Sequence, residues 1–241
     1  MEWTGEGLLI GVRRHGETSV IAEVMVVGRG RHLGLVRGGR TRRLAPVLQP
    51  GNSLQLTWRA RLEDQLGMFT VELLQARAAV LIEDRTRLYL SQLVCEHLRL
   101  FPERDPHDRL LGMALRLIDA PPNGAELARF ELAVLEDLGY GLDLTSCAAT
   151  GAVDDLTHVS PRTGRAVSRA AAAPYLDRLL PLPSFLTTRG NASPHDITDA
   201  LRLTEFFLQA HVWGARDVPA PPHARSVGRQ PGEGRVLACF G

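Results

Sequence analysis

Ser53-Leu54-Gln55-Leu56-Thr57-Trp58-Arg59 alternates apolar and polar residues without a break. A period of two puts successive side chains on opposite faces, so this stretch predicts a β-strand. Working outward, Phe69, Val71 and Leu73 alternate with Thr70 and Glu72 in the same way. Ser19 to Val27 is rich in β-branched and apolar residues and is bounded by glycines; Gly7–Val12 and His32–Val36 complete a set of five short strands. Turns fall at His15-Gly16, Gly28–Gly30 and Glu63–Gly67. Five strands in roughly 75 residues fit a small closed barrel such as an OB-fold, and an SH3-like barrel satisfies the pattern almost as well.

The period becomes helical near residue 80. In Glu126–Leu138, Leu127, Phe130, Val134, Leu135 and Leu138 fall on one face, with Glu131, Glu136 and Asp137 elsewhere. Arg85–Arg99 and Asp108–Ile118 read as helices separated by the Pro102/Pro106 break. Ser193-Pro194 opens another, running to about Trp213, with Ser193 as its cap and Ile197, Leu201, Leu208 and Val212 as its core stripe. Thr145–Arg169 reads as a loop or short hairpin, with turn signals at Thr150-Gly151 and Pro161-Arg162-Thr163-Gly164. The expected fold is α+β: an N-terminal five-stranded OB-fold barrel over residues 1–80, followed by a mainly helical C-terminal domain over 81–214. The loop or hairpin at 145–170 is inserted in that domain, and the proline-rich stretch 215–241, without a period, is expected to be a flexible tail.

Composition narrows the function classes. No apolar run approaches the roughly 18 residues of a membrane span. The start, Met1-Glu2-Trp3-Thr4, has no basic-then-apolar signal pattern, and Cys95, Cys147 and Cys239 form no disulfide framework. A reduced, cytoplasmic protein without membrane contact is the expectation. The net charge of +1 hides an uneven distribution. Residues 1–78 carry 11 Arg against 7 acids, 79–144 carry 7 against 12, and 145–241 carry 10 against 8. A basic front and an acidic middle point to two surfaces with different partners. All 28 cations are Arg, whose planar fork suits phosphates and stacked bases.

The densest chemical feature is Val36-Arg37-Gly38-Gly39-Arg40-Thr41-Arg42-Arg43. Glycines let a backbone approach a polyanion, and arginines neutralise phosphates and release counterions. Arg13, Arg14, Arg29 and Arg31 would line neighbouring turns. Trp3, Trp58 and Phe69 are candidate stacking partners for bases, although a core role is the stronger reading for Trp58 and Phe69. Four clustered like charges repel unless an anion meets them, which favours a binding loop over a merely solvated turn. Enzyme signatures are missing: there is no lysine for a phosphate loop, no Gly-x-Ser-x-Gly, no His-Glu-x-x-His and no Cys-x-x-Cys. Cys95 and His97, two apart on a helix, point in different directions and make no metal pair. Asp154-Asp155 reads as a solvated turn rather than a cation site.

Phe130-Glu131-Leu132-Ala133-Val134-Leu135-Glu136-Asp137-Leu138-Gly139-Tyr140-Gly141, continuing through Leu142-Asp143-Leu144-Thr145-Ser146-Cys147 to Thr150-Gly151, resembles the central helix and following loop of RecO proteins. Val159-Ser160-Pro161-Arg162-Thr163-Gly164-Arg165-Ala166-Val167-Ser168 resembles that family's next segment. So do Glu6–Ile10, Gly34–Arg40 and Leu48–Asn52 in the first region. The matches keep their order from residue 1 to about 213. The resemblance implies a non-enzymatic recombination mediator in DNA repair, cytoplasmic and nucleoid-associated. Such a protein would bind and anneal single-stranded DNA, engage the tail of single-strand-binding protein (SSB), and with RecR help load RecA. DNA binding is expected at Arg13, Arg14, Arg31, Arg37, Arg40, Arg42 and Arg43, extended by Arg162, Arg165 and Arg169, for which a salt-bridged hairpin is equally plausible. Arg116 and Arg129 are the candidates for the acidic tail's carboxylate. Some members hold zinc through paired cysteines in the loop after the central helix; here Thr150 stands where the partner of Cys147 would be, so no metal is expected and the loop should be held by packing. Two rivals stay open, a generic OB-fold RNA- or tRNA-binding module and a small metabolic enzyme with an unseen pocket.

Overall fold

The alternating stretches around Trp58 and Phe69 are neighbouring strands. In a computed structural model that describes residues 1–62, 65–188 and 190–214, they are β4 (Ser53–Arg59) and β5 (Gly67–Gln75), paired antiparallel with Trp58 opposite Phe69. With β1 (Glu2–His15), β2 (Ser19–Val26) and β3 (Gly30–Val36) they close a barrel in the order β1-β2-β3-β5-β4. That order fits the OB-fold. β1, at 14 residues, is more than twice as long as the expected Gly7–Val12 strand, because it serves two partners. Glu2–Leu8 pairs with β4, Gly7–His15 pairs with β2, and a register shift between Leu9 and Gly11 bends it from one to the other. Glycines at 5, 7 and 11 interrupt the alternation and hide the strand's true extent in the sequence.

The core follows from the alternation. Leu54, Leu56 and Trp58 point inward with Leu9, Val20, Val24, Val26, Val36 and Phe69. Each such side chain contributes about 1.5–3 kcal/mol by leaving water. The barrel closes where β3 meets β5 in a short parallel ladder, Gly34 beside Gly67 and Leu35 beside Met68. Those glycines make room for the two largest core rings. A Cβ on Gly34 would lie 2.3 Å from the Phe69 ring, and one on Gly67 would lie 2.1 Å from the Trp58 indole nitrogen.

Three helices complete the first compact unit, Met1–Pro122: α1 (Ala78–Glu83), α2 (Arg85–Leu98) and α3 (Asp108–Asp119). The expected boundary at 80 marks the change of period; the compact unit continues past it. α1, only six residues long, is too short to show a period in the sequence. Asp84 caps α2 by accepting from the N–H groups of Thr86 and Arg87. Arg77, buried, donates to Asp119, Ser53 and Gln75 and so ties the end of β5 to α3.

The second unit begins at Asn123. Asn123 caps α4 (Gly124–Asp137), whose Leu127, Phe130, Val134 and Leu135 are buried as expected. α6 (Pro194–Leu208) starts with a reciprocal capping box between Ser193 and Asp196 and runs on through a π turn to Trp213. Leu201, Leu208 and Val212 are buried; Ile197 is only half-buried. Between α4 and α6 the stretch resolves as a hairpin, β6 (Leu156–Val159) and β7 (Ala166–Ser168), joined by the short α5 (Arg169–Ala172) and a 3-10 segment to β8 (Leu180–Pro181). These strands form a three-stranded sheet, β7-β6-β8. The expected tail, 215–241, lies outside the described residues.

One expectation about α4 fails. Glu131, placed away from the apolar face by its charge, is 6% exposed and accepts a hydrogen bond from the Thr204 hydroxyl of α6. Burial pushes its carboxyl up to about 7, and Glu205 is raised to about 8 by its own burial and by Glu131. A glutamic acid that holds its proton is tolerated in a core where a carboxylate is not.

Candidate nucleic-acid interface and peptide cleft

In the first unit the arginine loop leaves β3 at Val36. Gly38 takes a left-handed conformation, φ +65, and Gly39 N–H closes the turn onto the Val36 carbonyl at 3.3 Å. Gly39 is buried, and a Cβ there would meet Val20 at 2.6 Å, so no side chain fits. Further along, Leu48 anchors the strap in the barrel core, with Leu44 and Val47 packed beside it. The loop also folds onto the β1–β2 turn. Arg40 N–H donates to the Thr18 carbonyl at 3.0 Å, and its guanidinium donates to the Glu17 carbonyl.

That attachment brings the predicted cations together. Arg14 lies opposite Val20, which lies opposite Val36, so Arg13 and Arg14 stand two strands, about 10 Å, from the start of the loop. Arg13, Arg14, Arg37, Arg42 and Arg43 are all exposed, and none has an acidic partner among the described residues. Arg31 departs from the group. Its guanidinium is bound to Glu23 and to the Phe101 carbonyl, and Arg99 holds the other oxygen of Glu23. Its charge is balanced within the fold, unlike that of its exposed neighbours.

The aromatic candidates separate too. Trp58 and Phe69 are buried in the barrel. Trp3 is half-buried, stacked on Trp58 with centroids 5.7 Å apart, and covered by the guanidinium of Arg29 at 4.8 Å. Arg116 on α3 is exposed and has no acidic partner among the described residues.

In the second unit Arg129 is held from three sides. Glu126 pairs with it one turn earlier on α4, the Phe185 carbonyl accepts from it at 3.1 Å, and its guanidinium lies 5.2 Å from the centre of the Phe185 ring. A cleft of about 510 Å³ opens here, lined by Glu126, Arg129, Phe185, Leu186, Thr187 and Thr188. Phe185 carries no sequence signal that pairs it with Arg129, 56 positions earlier. Arg165 and Arg169 reach Asp143 and Asp155 at 3.2 and 3.1 Å, so their charges are locally balanced, while Arg162 is exposed without an acidic partner among the described residues.

The loop after α4 is organised around the buried Cys147. Its sulfur accepts from the N–H and hydroxyl of Ser168 at 3.3 and 3.4 Å, and Val167 and Ala172 pack around it. Hydrogen bonds from the Ser168 and Thr150 hydroxyls hold the thiol below its usual range, at about 6. The donor set does not fit zinc: the polar groups at the sulfur are hydroxyls and N–H groups rather than thiolates or imidazoles. Hydrogen bonds to the sulfur, added to the expected packing, close this loop.

An OB-fold barrel with an arginine-rich loop at its rim, followed by a helical unit, defines a protein of the OB-fold class, many of whose members bind nucleic acids. Comparison with known proteins gives the family. Residues 1–77 match the model of the Recombination protein O N terminal region and residues 82–216 that of the Recombination protein O C terminal region. The chain is 54% identical to the DNA repair protein RecO of Chelativorans sp. over 228 residues, 92% of each chain. It is 53% identical to that of Sinorhizobium medicae over 225 residues, 91% of this chain and 90% of the relative. It is 54% identical to that of Brucella abortus over 233 residues, 94% of each. The chain belongs to the RecO family of DNA repair proteins. No helix among the described residues is long and apolar enough to cross a membrane.

Proposed function

We propose that this protein is a recombination mediator: it binds and anneals single-stranded DNA, grips the acidic tail of SSB, and with RecR helps load RecA, without making or breaking covalent bonds. The observation that carries the reading is the set of five exposed arginines with no acidic partner among the described residues, Arg13, Arg14, Arg37, Arg42 and Arg43, gathered with Arg40 at one end of the barrel. Unpaired guanidiniums release counterions from a phosphate backbone on contact, and a surface that neutralises two strands lets base pairing drive them together. In the second unit, the Arg129 cleft offers a fixed cation beside Phe185 and Leu186, the chemistry a terminal carboxylate on an apolar peptide requires. Arg162, Arg165 and Arg169 are assigned a minor part in DNA contact, and Arg116 serves as an alternative anchor for the tail. Binding of labelled oligo-dT and of an SSB-tail peptide, followed by anisotropy as salt is raised, tests the reading. The protein should bind both, with a salt slope for DNA alone that falls when Arg37, Arg40, Arg42 and Arg43 become Ala. Binding to neither ligand would reject it, and DNA binding without peptide binding would favour a generic nucleic-acid module.

A further inference from the structure

At the opposite end of β3 from the arginine loop, three planar groups lie in layers. Trp58 forms the inner layer, buried in the barrel core. Trp3 stacks on it at 5.7 Å with 16° between planes, and His32 and Phe69 pack edge-on against Trp3 at 5.1 and 6.2 Å. Arg29 is the outer layer, its guanidinium 4.8 Å above the Trp3 ring. The side chain is exposed, and it makes no hydrogen bond or ion pair with any described residue. Beside it the segment 103–105 is pressed against the β2–β3 turn; a Cβ on Gly30 would lie 1.9 Å from the Asp105 carbonyl. Arg104 sits there in a left-handed conformation, φ 66, held by its N–H bond to the Arg31 carbonyl at 2.9 Å. Its side chain is exposed as well. Burial lowers the His32 imidazole below its ordinary range, and the charges of Arg104 and Arg29 push the same way, which places both cations at this mouth of the barrel.

We infer that the Trp58–Trp3–Arg29 stack is a second single-strand contact, on which an unpaired nucleobase lies against the outer face of the Arg29 guanidinium while Arg104 meets the adjoining phosphate. The inference rests on the single-strand reading above and adds a base-reading point to it. A guanidinium is planar, and its place over the indole already limits the freedom of the side chain, so a base that adds a further layer costs less ordering. The donors at its edge stay available for phosphate. β3 separates Arg29 from Arg37 by about 25 Å, a span within the roughly 4–16 nucleotides that one OB-fold covers. The arginine loop works on charge alone. The stack responds to bases.

The test compares labelled oligo-dT with an abasic strand of equal length, for the full chain and for Arg29→Lys. Lysine keeps the charge and loses the plane, and at an exposed position it leaves the fold alone. The wild type should prefer oligo-dT, and Arg29→Lys should cut that preference about tenfold while affinity for the abasic strand and its salt slope stay unchanged. Trp3→Leu should do the same, with its melting curve checked against wild type. An unchanged preference in Arg29→Lys, or an equal loss on both strands, would overturn the stack and leave the mediator reading standing. Binding of neither strand by the wild type would remove both.

Discussion

Three arginines of the barrel rim and three of the second unit are the same residue in opposite settings. At the rim, Arg37, Arg42 and Arg43 stand exposed with no acidic partner among the described residues. In the second unit Arg129, Arg165 and Arg169 each meet a carboxylate, and Arg129 is also fixed by a carbonyl and a ring. Unpaired cations respond to the number of phosphates presented and hardly at all to shape. A cation already held in one direction is selective about what it accepts.

The sharpest way to break this contrast is to remove the rim charges. Changing Arg37, Arg40, Arg42 and Arg43 together to Ala should weaken binding to oligo-dT by on the order of 10²–10³ near 0.1 M salt and flatten the salt slope by about 3, with SSB-tail peptide binding intact. A slope unchanged in the variant would show that the strand runs elsewhere.

Next in size is the buried acid of the second unit. Glu131 has a native pKa of about 7, above its unfolded value of about 4.5, so the native state holds the proton more tightly. Stability from this group is therefore complete below about pH 4.5 and is lost as pH rises toward 7 and beyond. Between pH 5 and 8 Glu131 alone should cost the second unit about 2 kcal/mol, read from melting curves; Glu131→Gln should remove that part and leave the part that Glu205, raised to about 8 chiefly by its own burial, contributes. A wild type equally stable at both ends of the range would contradict the assignment.

Arg129→Ala should weaken an SSB-tail peptide by about tenfold with oligo-dT binding unchanged, since it removes a charge-assisted contact of about 1.5 kcal/mol. If Arg129→Lys proved as good as wild type, the forked geometry at Phe185 would be irrelevant. The smallest effect belongs to Arg165→Ala and Arg169→Ala. Each is paired on the surface and should alter DNA affinity less than about twofold. A tenfold loss in either would mean that the pairs to Asp143 and Asp155 open on binding.

The barrel was legible because its strands alternate, and the Ser53–Arg59 strand appears with the boundaries its sequence suggests. The helices were legible where caps and stripes agree, as at Ser193 and along Leu127–Leu135. Sequence spacing gave no access to contacts made across the chain. Arg31 reads like its neighbours in composition, and only the fold brings Glu23 and the Phe101 carbonyl to it. Glu131 looks like a surface acid until Thr204, 73 positions away, supplies its hydrogen bond. The Arg129–Phe185 contact is hidden for the same reason.

The barrel has a seam. Everywhere else its strands share ladders of seven or more residue pairs; between β3 and β5 only Gly34–Gly67 and Leu35–Met68 join. Closing that seam links positions 33 apart through the fewest bonds, so it should be the last gap to shut during folding and the first to part under stress. The two glycines there admit the Phe69 and Trp58 rings, which makes the shape of the cylinder depend on two side chains that are absent. An alanine at either place would act as a wedge, and amide exchange at Leu35 and Met68 would report how far it had been driven in.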